Sequence, residues 1–351
     1  MIRRTQTIYV TLDPFLLPRG NVLHHFDEFL ERLEEVHFPC IWLSSMNRFQ
    51  LDEPRRRLGH GDPFIAEGGC GVYLPEDYFH LKWGKTIRLG RYTVIPIAKP
   101  QPAAKDALEE LSSDLDISIV PLRSLSHREL NQNTGLRGSE AEQFRQRDFD
   151  ELFFFAGASE TEIAEFTAEA KKRGLTLQDL GTFWSLAVGA DVGKCIRELG
   201  GLYDRSLRYH ATRIALAVAP AAELPEPPKA DPRLKPIYAA CDRTLLLTER
   251  QMYRELRALS APAADADGTD DETECGEISQ AADADHGESD GNEEQAEAIE
   301  VIYTDEPDEN QDEEEPSTQP HLRPVKDSFP IHAPDLWEAV LETILEHKPH
   351  K

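Results

Sequence analysis

Two apolar, β-rich runs separated by one amphipathic stretch place the tightest constraint on what this chain can fold into. The first run ends TIYVTLD, with Ile8, Tyr9 and Val10 ahead of Asp13; the second, FPCIWLSS, closes on Ser44 and Ser45. Between them Phe26, Phe29, Leu30 and Leu33 recur at i, i+3, i+4 and i+7, the spacing of a helix with one buried face, predicted over residues 21–36. Strand, helix and strand in this order form a βαβ unit, so a parallel sheet is expected. Open sheets of this kind bind ligands beyond the carboxyl ends of their strands. Asp13 and the Ser44-Ser45 pair sit at such ends and are therefore the first candidates for a site. Each also has a plainer reading: a strand-end aspartate can accept N–H bonds from its own turn, and serines can cap the next helix.

PFIAEGGCGVYLP follows, two short apolar runs around Gly68, Gly69 and Gly71, and reads as a hairpin. A phosphate-cradling loop would need a helix N-terminus after the glycines, and VYLP is a strand instead. From about Gly90 to Val188 the order changes to YTVIPI, a helix, ISIVPL, a short helix near SHREL, DELFFFA, a helix, then TLQDL and FWSLAV. This reads as a separate α/β module inserted in the first. Its helix from Ser159 has a capping box with Glu162, an apolar stripe of Ile163, Phe166 and Ala170, and Gly174 as a stop. A helix over residues 193–202 and the strand RIALAVAP return the chain to the parent sheet. A Pro-rich connection leads to a further expected helix, LTERQMYRELRAL, and APDLWEAVLETIL supplies a last amphipathic helix that needs a body to pack on.

The formal net charge of −27 is misleading as an average. About 23 Asp and Glu fall between Asp265 and Glu315 with no Lys or Arg, which leaves roughly −4 for the remainder. The globular part has no basic excess of the kind that binds nucleic acid, and no run of about 20 apolar residues suggests a membrane span. The acidic segment is poor in large apolar groups, so disorder is expected there. Its 265–315 stretch is a candidate docking segment for a protein partner. Five scattered cysteines without CxxC spacing indicate neither a zinc site nor a disulfide framework, and the absence of a signal-like apolar region points to the cytoplasm.

Six segments also carry a family likeness: LDPFLLP, IWLSSMNR, PFIAEGGCGVYLPEDYF, TGL at 134–136 before DELFFF, GTFWSLAVGADVGK and PDLWEAVLETIL. In order and spacing the chain resembles the mannosyl-3-phosphoglycerate phosphatases of the haloacid dehalogenase (HAD) superfamily. The resemblance implies an α/β fold: a HAD-like parallel-sheet core with an inserted α/β cap and a long disordered acidic insertion. The implied boundaries are core at residues 1–89 and 189–258, cap at 90–188, acidic insertion at 259–324, and a C-terminal segment at 325–351 whose helix docks on the core.

Carried over by motif, the resemblance puts Thr11 where the family has its nucleophilic aspartate, Asp13 at the acid/base aspartate and Phe15 at a threonine. Shifting the register to make Asp13 the nucleophile puts Phe15 at the acid/base. Ser44 matches the hydroxyl that binds phosphoryl oxygens, with Ser45 and Arg48 beside it as the implied substrate-binding group. Met46 replaces a lysine, and Thr182 and Ser185 replace the arginine and histidine of the cap pattern. Lys194 matches the third-motif lysine, although another alignment puts Val192 there. The metal-binding acidic motif falls on AVAPAA at 217–222, leaving Asp13 as the lone metal carboxylate.

A threonine hydroxyl without a base is a weak nucleophile and would leave a stable phosphate ester, whereas an aspartyl phosphate is readily opened by water. The expectation is therefore a pseudo-phosphatase with a binding or regulatory role, without a cofactor, and with a small phosphorylated ligand in the core–cap cleft. The alternative is an active magnesium-dependent phosphatase acting on a sugar phosphate or a phosphoglycerate monoester.

Overall fold

The computed structural model describes residues 5–11, 13, 26–80, 84–134, 138–181, 183–219, 235–248, 328–330 and 336–346. The first βαβ unit forms as its periodicity requires. Strand β1 (Gln6–Thr11) leads to helix α1 (Phe26–Glu35), which buries Phe26, Phe29 and Leu33, and then to β2 (Cys40–Leu43). Helix α2 (Arg48–Arg57) follows, then β3 (Phe64–Ala66), β4 (Gly71–Pro75), β5 (Ile87–Leu89) and β6 (Tyr92–Pro96). The chain continues through α3 (Gln101–Leu115), β7 (Ile119–Pro121), α4 (His127–Thr134), α5 (Ser139–Arg145) and β8 (Glu151–Phe155). Next come α6 (Glu160–Lys172), β9 (Leu175–Asp179), β10 (Trp184–Val188), α7 (Val192–Leu207) and β11 (Thr212–Ala219). The last described elements are α8 (Lys235–Ala240), β12 (Arg243–Thr248), β13 (Ser328–Pro330) and α9 (Leu336–Glu346).

The larger sheet runs β13-β12-β11-β1-β2-β3-β4-β6-β5. From β13 to β3 every pairing is parallel, and beyond β3 every pairing is antiparallel. β1 therefore lies between two parallel neighbours, and its alternation serves both faces. Ile8 and Val10 join Phe26, Phe29, Trp42 and Trp337 on one side, while Tyr9 joins Ile41, Leu43, Ile196 and Leu199 on the other. The second sheet, β7-β8-β10-β9, is antiparallel throughout. Helices α3 and α6 supply Leu108, Leu111, Phe166 and Ala170 to a core with Phe153 and Leu186 of its strands. The expected capping box of α6 is present, Ser159 with Glu162.

Three expectations need adjustment. Tyr92–Pro96, read as the first strand of the inserted module, pairs with Gly71–Pro75 in the larger sheet, because the hairpin edge continues the antiparallel pairing begun by β3 and β4. Leu247 and Thr248, the first two residues of the expected helix LTERQMYRELRAL, belong instead to β12, where a Leu-rich run pairs with β11 on one side and β13 on the other; the rest of that helix lies outside the described residues. Helix α2 was anticipated only as a helix that Ser44 or Ser45 could cap, and its residues were not delimited. Residues 14–25, Thr182, residues 220–234 and the acidic segment also lie outside the described residues. No helix among the described residues is long and apolar enough to cross a membrane.

The C-terminal helix docks on the larger sheet, as its stripe requires. Trp337 stacks on Phe29 with ring centroids 4.7 Å apart and lies 5.0 Å from Phe26, while Val340 and Ile344 are fully buried. Replacing Trp337 by Ala removes the largest side chain from this contact and is expected to cost about 3–5 kcal/mol. Denaturant unfolding checks this; a loss below about 1 kcal/mol would mean that α9 adds little to the core.

Candidate functional site

The parallel register puts the tips of β1 and β2 side by side: Thr11 pairs with Leu43, so the residues that follow each strand converge. Asp13 and Ser44 meet there. The Ser44 hydroxyl donates to Asp13 Oδ1 in a short hydrogen bond, and the Ser45 N–H donates to Asp13 Oδ2 at 2.6 Å. The Ser44 Oγ in turn accepts the Met46 N–H at 3.0 Å. Burial pushes the Asp13 carboxyl above the usual aspartate range, against the pull of Ser44, Ser45 and the Arg147 guanidinium. Helix α2 takes its cap from Asn47, whose side chain accepts the Gln50 N–H at 3.0 Å, so neither serine serves that purpose.

The other predicted residues go elsewhere. The Thr11 hydroxyl points across to β11 and donates to the Leu216 carbonyl at 3.4 Å. Arg48 lies over the Phe49 ring and binds Asp148 through Nε at 2.8 Å. Lys194 is exposed in the first turn of α7, where Asp191 caps its N–H at 2.8 Å, and it makes no bond to Asp13. Ser185 is buried and donates to Asp150 Oδ2 at 2.6 Å. Cys70, of the glycine-rich turn, is buried, and burial pushes its thiol well up.

Residues not singled out from sequence hold this edge together. Glu67, just beyond β3, takes a left-handed conformation (φ 50°) and turns its carboxylate into the junction between the two sheets. It accepts the N–H groups of Asp148, Phe149 and Asp150 at 2.9, 2.8 and 3.1 Å. Arg147 then forms a bidentate pair with Asp150 at 2.5 and 2.6 Å and donates to the Ser45 carbonyl at 2.7 Å. Both partners are buried, with side chains 5 % and 1 % exposed. Burial and the charge of Asp150 push the Glu67 carboxyl up to about 8, outweighing Arg147 and the backbone donors. On the far side of the turn, a Cβ on Gly69 would fall 2.5 Å from the Val192 nitrogen, so only glycine lets the start of α7 pack here.

Magnesium asks for near-octahedral oxygen ligation, commonly from carboxylates and substrate phosphate. Among the described residues no group of three His, Cys, Asp or Glu could hold a metal ion. Asp13 accepts from the Ser44 hydroxyl and the Ser45 N–H just beyond β2, and the donors described here do not make up that set. Residues 220–222, where the acidic metal motif was expected to be missing, lie outside the described residues apart from the preceding strand.

No protein-family model matches the chain. It is 26% identical over 174 residues to a glucosyl-3-phosphoglycerate/mannosyl-3-phosphoglycerate phosphatase of Methanococcoides burtonii, covering 50% of this chain and 64% of that protein. A protein of the same description from Persephonella marina is 24% identical over 197 residues, covering 53% and 71%. The mannosyl-3-phosphoglycerate phosphatase of Pyrococcus furiosus is 23% identical over 200 residues, covering 57% and 79%. The chain thus spans less than two thirds of the first of these relatives. Among solved structures, a phosphatase of the haloalkanoate (HAD) superfamily from Bacteroides thetaiotaomicron superposes with a TM-score of 0.44 at 14% identity, over 73% of this chain and 95% of that one.

The geometry of Glu67 generates a prediction about pH. An unfolded glutamate loses its proton near pH 4.3, so between there and the raised folded value the folded state holds the extra proton. Stability is then greatest at low pH and declines as the pH rises towards about 8. Denaturant unfolding across this range is expected to show a decline that Glu67→Gln, which has no proton to lose, flattens. Equal slopes in the two proteins would show that Glu67 does not titrate in the folded state.

Proposed function

We propose that this chain, a mannosyl-3-phosphoglycerate phosphatase-like member of the haloacid dehalogenase superfamily, is a non-catalytic binding or regulatory protein built on a phosphatase fold. The observation that carries this reading is the engagement of both Asp13 oxygens by Ser44 and Ser45. The hydroxyl that would hold a phosphoryl oxygen is turned onto the carboxylate instead.

Two further points support it. Thr11 stands where the family's motif has its nucleophile, and its hydroxyl donates to a backbone carbonyl of β11. Such a hydroxyl attacks phosphorus poorly, and the ester it would form is stable to water. Phosphoryl transfer relies on positioned cations as much as on a nucleophile; Arg147 is committed to Asp150 and Arg48 to Asp148. The ligand in this reading is a small phosphorylated molecule between the two sheets, and the acidic 265–315 stretch engages a protein partner of basic character.

The second reading is magnesium-dependent hydrolysis of a sugar phosphate or phosphoglycerate monoester. It draws on the phosphatase names of the relatives and on the meeting of Asp13 with Ser44. Calorimetry with magnesium, with and without 3-phosphoglycerate, together with phosphate release from a panel of sugar phosphates, separates the two. The first reading expects no magnesium binding and no release. Magnesium-dependent release that Asp13→Asn abolishes would overturn it and establish the second.

A further inference from the structure

A cavity of about 350 Å³ lies at the opposite edge of the larger sheet, away from Asp13 and Ser44. Its position follows from the topology. Gly59, His60 and Gly61 precede β3, Pro75 and Glu76 end the antiparallel strand beside it, and Tyr92 pairs with Pro75 at the start of β6. These are the amino ends of the parallel strands. The volume is at the lower end of that of small-molecule pockets, roughly 300–1,000 Å³.

The lining is cationic. Arg55, Arg56 and Arg91 face it, with Glu76 as the acidic counterpart. Glu76 is bonded to Arg88 at 2.7 Å and Arg91 to Asp52 at 2.8 Å, so those charges are matched in pairs. Arg55 and Arg56 remain. Among the described residues neither forms an ion pair.

Arg55 is the unusual one, because it is only 4 % exposed. Its guanidinium lies 4.4 Å from the Phe64 ring centroid. Its Nη1 donates to His60 Nδ1 at 2.8 Å and its Nη2 to the Asp62 carbonyl at 2.6 Å, while the Tyr92 hydroxyl and the more distant charges of Asp62 and Asp52 favour its charged form against burial. The Asp62 carboxylate is turned away, accepting the Cys40 N–H at 2.8 Å and the Tyr78 hydroxyl at 2.7 Å. His60 cannot serve as a proton donor to a ligand, since its Nε2 donates to the Cys40 carbonyl at 2.7 Å. Burial and the neighbouring guanidinium push its pKa down to about 3, so the imidazole stays neutral. The charges of Asp62 and Asp52 offset the burial of this guanidinium only in part, and an anion in the cavity would complete it. The remaining N–H groups of Arg55, with exposed Arg56 beside it, form the planar donor set that suits a tetrahedral oxyanion.

We propose that this cavity is an anion-binding site for phosphate or a small phosphomonoester, with Arg55 at its floor and Arg56 and Arg91 at its mouth. The site is separate from the family motif at the other sheet edge and independent of whether that motif is catalytic. Neutral His60 and paired Glu76 supply no acid or base here, so the site binds without turning over.

The test is calorimetric titration of the full chain with inorganic phosphate at low ionic strength, repeated with malonate as a carboxylate probe. Wild type is expected to bind phosphate at this site, apart from any bound in the cleft between the sheets, and malonate more weakly. The double variant Arg56→Ala, Arg91→Gln, altered at two exposed positions, is expected to raise the phosphate Kd by about tenfold or more. Ser44→Ala, at the other edge, is expected to leave it unchanged. No phosphate binding by wild type, an unchanged Kd in the double variant, loss of binding in Ser44→Ala, or tighter binding of malonate would each overturn the proposal.

Discussion

One buried carboxylate organises the carboxyl edge of the larger sheet. Glu67 sits where β3 ends and grips three successive N–H groups of residues 148–150, the segment that enters β8 of the second sheet. That grip fixes where the neighbouring side chains point. Arg147 is aimed at the Ser45 carbonyl and locked on Asp150; Asp150 receives Ser185; Asp148 collects Arg48 and the Tyr73 hydroxyl. An unpaired charge in such a place would be expensive, and every member has a partner. The cleft between the sheets is therefore bridged by protein groups in the places where an anionic substrate would look for cations.

The parts of this arrangement legible in the sequence were those with local signals. The period of α1, the strand-end positions of Asp13 and Ser44, the capping box at Ser159 and the stripe of the last helix each lie within a few turns of chain. Contacts across the molecule were not legible. Glu67 and Arg147 belong to segments that nothing local connects, although a glutamate inside the apolar run FIAEGG was a sign that a buried acceptor was needed. Tyr92–Pro96 looks like any short strand, and only its partner decides which sheet takes it. Helix α2 hides because Pro54 stands inside it and only Leu51, Pro54 and Arg55 face inward, which leaves almost no apolar period to read.

That poorly marked helix also divides the molecule's chemistry. Its first residues leave the Ser44–Asn47 turn at one edge of the sheet, and Arg55 and Arg56 stand in its last turn beside the cavity at the other. A single helix thus joins the place where a carboxylate is fully engaged to the place where guanidinium groups are not. His60, stacked 4.3 Å from Trp42, and Arg55 over Phe64 fasten the far end to the central strands.

The pairing of β12 with β13 has a consequence for how the protein is made. These strands are neighbours in the sheet, yet the acidic stretch lies between Thr248 and Ser328 in the chain, and α9 comes after both. On the ribosome, Phe26 and Phe29 are synthesised early but receive Trp337 only at the very end. Throughout that interval the nascent chain carries an uncovered aromatic patch, the usual seed of aggregation between neighbouring polysomal chains.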